Sequence, residues 1–162
     1  MKEYSSILLN GRNDCRRCVR ELIELSTQRV YLIGQNLEPD LYNHKYLYDH
    51  LSELTTRNRN TDIRVIAHDT RVAARNGHYL ILLAQRLPTF AQIRITVTRD
   101  QRKFSENWLI VDDMAFMRIK NPASYEGYYD TDNKLECRSL AQSFMEIWEA
   151  SLPDQNTRRL GI

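Results

Sequence analysis

The chain has 162 residues, 42% of them apolar and 27% charged, with five Gly and four Pro. That length supports one real hydrophobic core rather than two, and the composition excludes a collagen-like, low-complexity or wholly disordered chain. A net charge of +2 excludes a strongly basic nucleic-acid arm, although 18 of the 23 basic residues are Arg, the side chain suited to bidentate contact with phosphate or carboxylate. No apolar run approaches the ~20 residues of a membrane span, and Met1 to Leu9 lacks the charged start and long apolar middle of a signal peptide. A cytoplasmic protein without a membrane span is expected.

Asn13-Asp14 offers a cap for a helix over 14–27, with Val19, Leu22, Ile23 and Leu25 at helical spacing. Arg29 to Gly34 is a β-branched and aromatic run closed by Gly and reads as a buried strand, followed by a loop over 35–43. From His44 to Asn58 the residues Tyr46, Leu47, His50, Leu51 and Leu54 mark one face of an amphipathic helix. Asp62 to His68 predicts the second strand. Thr70 to Leu87 predicts a third helix, with Leu80, Leu83, Ala84 and Leu87 inward and Pro88 as its stop. Ile93 to Thr98 alternates as a half-exposed strand does, and Arg99 to Lys103 is a charged loop.

Trp108 to Val111 is a short unbroken apolar run. Asp112-Asp113 interrupts it as a tight turn would, and Met114 to Ile119 resumes a strand-like pattern, so two adjacent antiparallel strands are expected. Asn121 to Asn133 reads as a polar loop. A last helix over 134–151 carries Leu140, Phe144, Ile147 and Trp148 as its packing stripe, and Pro153 begins a tail. Helices alternating with strands imply parallel crossovers, and the late run of strands implies an antiparallel addition. The expectation is an α/β fold with a mixed, mostly parallel sheet flanked by helices, in one domain over 1–152 with a tail over 153–162. No repeat is visible.

Crevices in open α/β sheets lie beyond the carboxyl ends of parallel strands. Gln35 and Asn36 follow the first strand, and His68 and Asp69 end the second. With Ser105, Glu106 and Asn107 they form a candidate ligand-binding set facing one cavity. Arg71, Arg75, Arg86, Arg94, Arg99, Arg102 and Lys103 form a candidate basic face near it, and Tyr125, Tyr128 and Tyr129 are available for stacking on a single-stranded nucleic acid. The modest net charge favours a solvated face over nucleic-acid binding. Cys15-Arg-Arg-Cys18 stands at a helix start, where dipole and Arg charges favour a thiolate, but it precedes the first strong strand and lacks further ligands at metal spacing. His44, His50 and His78 also lack metal-ligand spacing. Three cysteines, an odd number, fit reduced thiols. No metal or cofactor is expected.

Ser105, Asn107 and Asp112 stand at offsets zero, two and seven, and there the chain resembles a half-unit of the phospholipase D-like superfamily, whose signature is His-x-Lys-x4-Asp at the start of a late strand. Cys18 to Leu41 is similar to that family's opening helix and strand, and Phe144 to Ser151 resembles its closing Phe-x-x-x-Trp helix. In the family, His attacks phosphorus, Lys neutralises phosphate oxygens, and two half-units meet across a two-fold axis. Here Ser105 is a weak nucleophile without a base, Asn107 supplies no charge, and only Asp112 matches. The family's downstream Gly-Ser-x-x-x-x-x-Asn is replaced by Arg118 to Ser124. The resemblance extends to uncharacterised bacterial domains joined to N-acetyltransferases, through Gly77-His78-Tyr79-Leu80, Ala84 to Pro88 and Arg158-Arg159-Leu160. It implies a non-catalytic domain that dimerises or docks on a protein partner, an N-acetyltransferase domain among them, and that takes a phosphate-bearing ligand. The alternatives are a residual phosphodiesterase or nuclease using Asp112 with His68 or Glu106, and a single-stranded nucleic-acid binder.

Overall fold

A computed structural model describes residues 6–157. In chain order it contains β1 (Ile7–Asn10), α1 (Arg12–Leu25), β2 (Arg29–Ile33), α2 (Pro39–Tyr42), α3 (Lys45–Arg57), β3 (Asp62–Ala67), α4 (Arg71–Asn76) and α5 (Tyr79–Arg86). It continues with β4 (Ala91–Ile95), α6 (Arg99–Arg102), β5 (Asn107–Val111), β6 (Ala115–Asn121), β7 (Glu126–Asp130), α7 (Lys134–Glu149), β8 (Leu152–Pro153) and a single 3-10 turn, Gln155–Thr157. The strands form one 8-stranded sheet in the order β1-β7-β6-β5-β2-β3-β4-β8.

Strand alternation sorts the core into two layers. Along β2, Val30 and Leu32 enter a cluster with Val19, Leu22 and Ile23 of α1, Leu47 and Leu51 of α3 and Leu80 and Leu83 of α5. Tyr31 and Ile33 point the other way, onto Phe144 and Trp148 of α7 with Ile66, Ile110 and Phe116. A helical layer therefore covers one face of the sheet and α7 the other, as the period of two in each strand requires. Tyr31 stacks on Phe144 with ring centroids 4.8 Å apart. Arg64 and Arg94 lie over the Trp148 ring, and Arg94 also donates to the Trp148 carbonyl, so these cations pack the end of α7.

The mixed sheet flanked by helices matches expectation, but it is not mostly parallel: only the β2–β3 and β3–β4 pairings are. The difference comes from strands whose composition hides them. β7 runs through the stretch expected to be a polar loop and pairs antiparallel with both β1 and β6. Its tyrosines satisfy their hydroxyls on carboxylates, Tyr128 on Glu136 and Tyr129 on Glu21. A Cβ on Gly127 would stand 2.7 Å from the Cα of Ile119, so the polar-looking Gly is what lets the strands close. β8 pairs with β4 through Arg94↔Pro153 and Ile95↔Leu152, so the stretch from Pro153, expected as a tail, begins inside the sheet.

The helices differ as well: α2 and α6 are short helices in stretches expected as loops, over 35–43 and 99–103. The helix expected over 70–87 is split, because Gly77 adopts φ 83 and His78 caps a new helix by accepting from the Leu80 amide. The N-cap of α1 is Gly11, with φ 102 and no side-chain cap bond, rather than Asn13-Asp14. Asp14 lies inside the first turn, where it accepts from the Asn10 amide and from Arg17.

Candidate functional site

The parallel strands β2, β3 and β4 end side by side, and the chain leaves each at the same rim of the sheet. There Gln35, His68, Asp69, Thr70, Arg71, Ile95, Arg102 and Asn156 line a groove of about 520 Å³. Gln35, His68 and Asp69 of the sequence-derived set are thus brought together, at the place where open α/β sheets bind ligands.

His68 is held on both ring nitrogens. Its Nε2 stands 2.7 Å from the Phe104 carbonyl, which only accepts, so Nε2 carries a proton. Its Nδ1 meets Oγ1 of Thr96 at 2.6 Å, and Thr96 is 0% exposed. Gln35 Nε2 donates to the same Phe104 carbonyl at 3.0 Å. Both residues therefore anchor the segment before β5, and using His68 as a base means breaking one of these bonds.

Asp69 accepts from Arg71 through its side chain at 2.7 Å and through the Arg71 amide at 2.9 Å, and these bonds hold its carboxyl down at about 2. Arg102 lines the groove without a carboxylate partner among the described residues. Asn156 reaches in from the 3-10 turn and donates to Oγ1 of Thr70 at 3.3 Å.

The other positions separate. Ser105 is exposed in the segment before β5, and Asn107, the first residue of β5, is 1% exposed. Asp112 lies at the opposite end of that strand, roughly 17 Å away at 3.4 Å per residue. It accepts from the amides of Thr27, Gln28 and Arg29 and from the Thr27 hydroxyl, closing the turn between α1 and β2. Glu106 turns from the groove to pair with Arg118 at 2.7 Å and accept from Trp108 Nε1 at 3.1 Å. Burial raises its pKa, but the Arg118 and Trp108 bonds outweigh that and leave it lowered. Asn36 is exposed, and its amide donates to Glu38. A joint cavity for the whole expected set therefore does not form: Glu106 is held by Arg118 and Trp108, Asn107 is buried at the start of β5, and Asn36 and Ser105 do not line the groove.

The basic face and the tyrosines are also apart. β7, which bears Tyr128 and Tyr129, is separated from β4 by β6, β5, β2 and β3. Arg94 is spent on the end of α7, and Arg86 lies on Tyr48 and donates to its hydroxyl. Cys15 and Cys18 are buried and free, and burial pushes Cys15 up to about 11 and Cys18 higher still, the opposite of an activated thiol. Among the described residues no cluster of three or more His, Cys, Asp or Glu is placed to hold a metal.

Sequence reasoning passed over Glu38, Thr96 and Asn156. Thr96 was hidden by an alternating pattern that placed it on a half-exposed strand. Glu38 and Asn156 lie in irregular segments that carry no period to read.

This architecture, with a strand-end groove and the late β5–β6 hairpin, is the phospholipase D-like fold. Similar solved structures are Nuc of Salmonella typhimurium, a phospholipase D family member (TM-score 0.63, 10% identity, covering 96% of this chain and 100% of that one), and NucT from Helicobacter pylori (TM-score 0.61, 10% identity, 94% and 100%). TrmBL2, an archaeal chromatin protein whose structure shows a mode of DNA binding, is similar at TM-score 0.68 and 13% identity over 94% of this chain. The chain spans about half of TrmBL2, 54% of its length. Residues 11–160 match the family described as Domain of unknown function (DUF7931), and the chain belongs to it. No curated protein matches the sequence significantly. No described helix is long and apolar enough to cross a membrane. The Arg158-Arg159-Leu160 ending lies outside the described residues.

Proposed function

We propose that this chain is a non-catalytic, single-unit phospholipase D-like domain that docks on a second copy or on another protein, an N-acetyltransferase domain being the partner the resemblance names, and holds a phosphate-bearing group in the strand-end groove. The observation that carries the reading is the commitment of His68 on both nitrogens, to Thr96 and to Phe104, beside an Arg102 with no carboxylate partner among the described residues. A cation is offered where a phosphate fits, while the imidazole is engaged elsewhere. Asn107 stands at the signature's Lys position as a buried neutral amide, and Ser105 at its His position is a hydroxyl, so the inherited chemistry is degenerate.

Titration with inorganic phosphate, followed by NMR, tests the site. Shifts are expected at Gln35, His68 and Asn156, and weaker binding in Arg102→Ala. Turnover of a phosphodiester that is abolished by His68→Ala would replace the reading with a residual phosphodiesterase. Sedimentation at high concentration tests docking on a second copy, and a strict monomer would leave only a different protein as partner.

A second reading draws on the likeness to TrmBL2 and on Arg75, Arg99 and Arg102, none with a carboxylate partner among the described residues. Binding of single-stranded DNA that weakens steeply with salt would favour it.

A further inference from the structure

Behind the groove, the segment joining β2 to α2 carries a buried carboxyl. Oε1 of Glu38 accepts from the amides of Gln35 at 2.6 Å and Asn36 at 3.3 Å, folding the carboxyl back over the end of β2. Its other oxygen, Oε2, is buried and has no hydrogen-bond partner among the described residues. Oδ1 of Asn107, on the neighbouring β5, is buried and unpartnered in the same way. The two oxygens converge over Gly34: a Cβ there would overlap Oε2 of Glu38 and stand 2.8 Å from Oδ1 of Asn107.

Two acceptors cannot satisfy one another. A buried polar atom without a partner destabilises the fold, and a buried carboxylate oxygen does so more strongly. A proton between them removes both penalties, because a neutral carboxyl is a donor on one oxygen while its other oxygen keeps accepting from the backbone. We propose that Glu38 carries its proton in the folded protein and donates it from Oε2 to Oδ1 of Asn107, tying the end of β2 to the start of β5 by a pH-sensitive bond.

Among the described residues, the surroundings supply no charge that would hold the anion instead. The groups acting on Glu38 are the amides of Gln35, Asn36 and Glu38 itself, which favour the charged form less than burial opposes it. From α2, the buried Tyr42 hydroxyl faces it, and Tyr42 is itself raised well above its ordinary value. Cys15 and Cys18 of α1 and Tyr46 of α3 lie behind Tyr42, each pushed up by burial and so neutral. His78 donates from Nε2 to the carbonyl of Leu37 and accepts the Leu80 amide on Nδ1, which fixes it as a neutral ring. Asp40 faces outward to Arg12 and Tyr125.

The bond sits where it can be felt by the groove. The Glu38 carboxyl holds the Gln35 amide, and the Gln35 side chain holds the Phe104 carbonyl that also anchors His68. Leu37, between them, adopts φ 65, a left-handed conformation that a leucine keeps only when its surroundings impose it. Losing the proton places a charge against Oδ1 of Asn107 and loosens this segment. The proposal stands on Gly34, Glu38 and Asn107 and holds whether or not the groove takes an anion.

The test is a carbon-13 NMR titration of the Glu38 side-chain carboxyl in the intact chain, with thermal melts of the wild type and Glu38→Gln over the same pH range. The Glu38 midpoint is expected above the ordinary 4.5. Stability linked to it is full below 4.5 and is lost as pH rises through the folded-state midpoint. Gln at this position donates permanently through Nε2, so the melting temperature of Glu38→Gln is expected to lack that fall and to exceed the wild type at alkaline pH. A midpoint at or below 4.5 would overturn the proposal, since Glu38 would then be an anion paired with the amide nitrogen of a turned Asn107. A Glu38→Gln protein less stable than wild type at every pH would do the same.

Discussion

Single side chains divide this protein into groups that shape the groove and groups that only resemble a site. Asp112 belongs to the second kind: it satisfies three backbone amides and a hydroxyl while itself holding φ 55. Asp112→Ala removes those acceptors and is expected to cost about 1–2 kcal/mol in a denaturant titration, whereas Asp112→Asn keeps an acceptor and tolerates the left-handed backbone. Gly34→Ala forces a methyl into the space that the Glu38 and Asn107 oxygens fill, and a loss of about 1–3 kcal/mol is expected. Asp69 is held at about 2 by Arg71, and Arg71→Ala should return its NMR midpoint toward 3.8. Because Asp69 is surface-exposed, little change in melting temperature should accompany that return.

At the level of elements, the break between α4 and α5 shows how a helical pattern is overruled. Leu80, Leu83 and Ala84 do face the core as their spacing requires, yet Gly77 turns the chain and His78, 6% exposed, joins α5 to the Leu37 carbonyl. Burial lowers the His78 pKa below 6.5, against the Leu37 carbonyl, which favours the charged ring; the bond accepted from the Leu80 amide also needs the neutral ring. Its contribution to stability is therefore full above 6.5 and lost as pH falls from there through the depressed folded-state value. His78→Ala is expected to cost about 1–2 kcal/mol at neutral pH and to flatten the acid side of the stability profile in thermal melts. The His78 and Glu38 effects act in opposite directions, one weakening the molecule on acidification and the other on alkalinisation. The two variants should thus flatten opposite limbs of the same curve.

Across the whole molecule, the sheet is closed by residues far apart in sequence. Asp154, 2% exposed, accepts from Oγ1 of Thr70 at 2.7 Å and donates its amide to Ile93, locking the end of the described chain to α4 and β4 beside the groove. Asp154→Ala leaves that hydroxyl without its buried acceptor, and a loss of about 1–3 kcal/mol with weaker phosphate binding is expected from melts and NMR titration of the one variant. Much of this architecture is legible in local pattern. Apolar runs mark β2, β3 and β5, helical spacing marks α1, α3 and α7, and the Asp112-Asp113 turn marks the β5–β6 hairpin, because each of these buries a face whose period the sequence must repeat. β7 and β8 are not legible, since half-exposed tyrosines, Gly127 and Pro153 become strand residues only when neighbours supply their hydroxyl partners and backbone pairing. The site follows the same division. The ends of β2 and β3 could be read as groove walls, and Gln35, His68 and Asp69 do line it, because a strand's direction fixes where its last residues emerge. What holds each nitrogen of His68, which way Glu106 turns and what stands against Asn107 were decided by tertiary structure alone. Those answers depend on the Phe104 carbonyl, Arg118 and Glu38, partners that no spacing along the chain encodes.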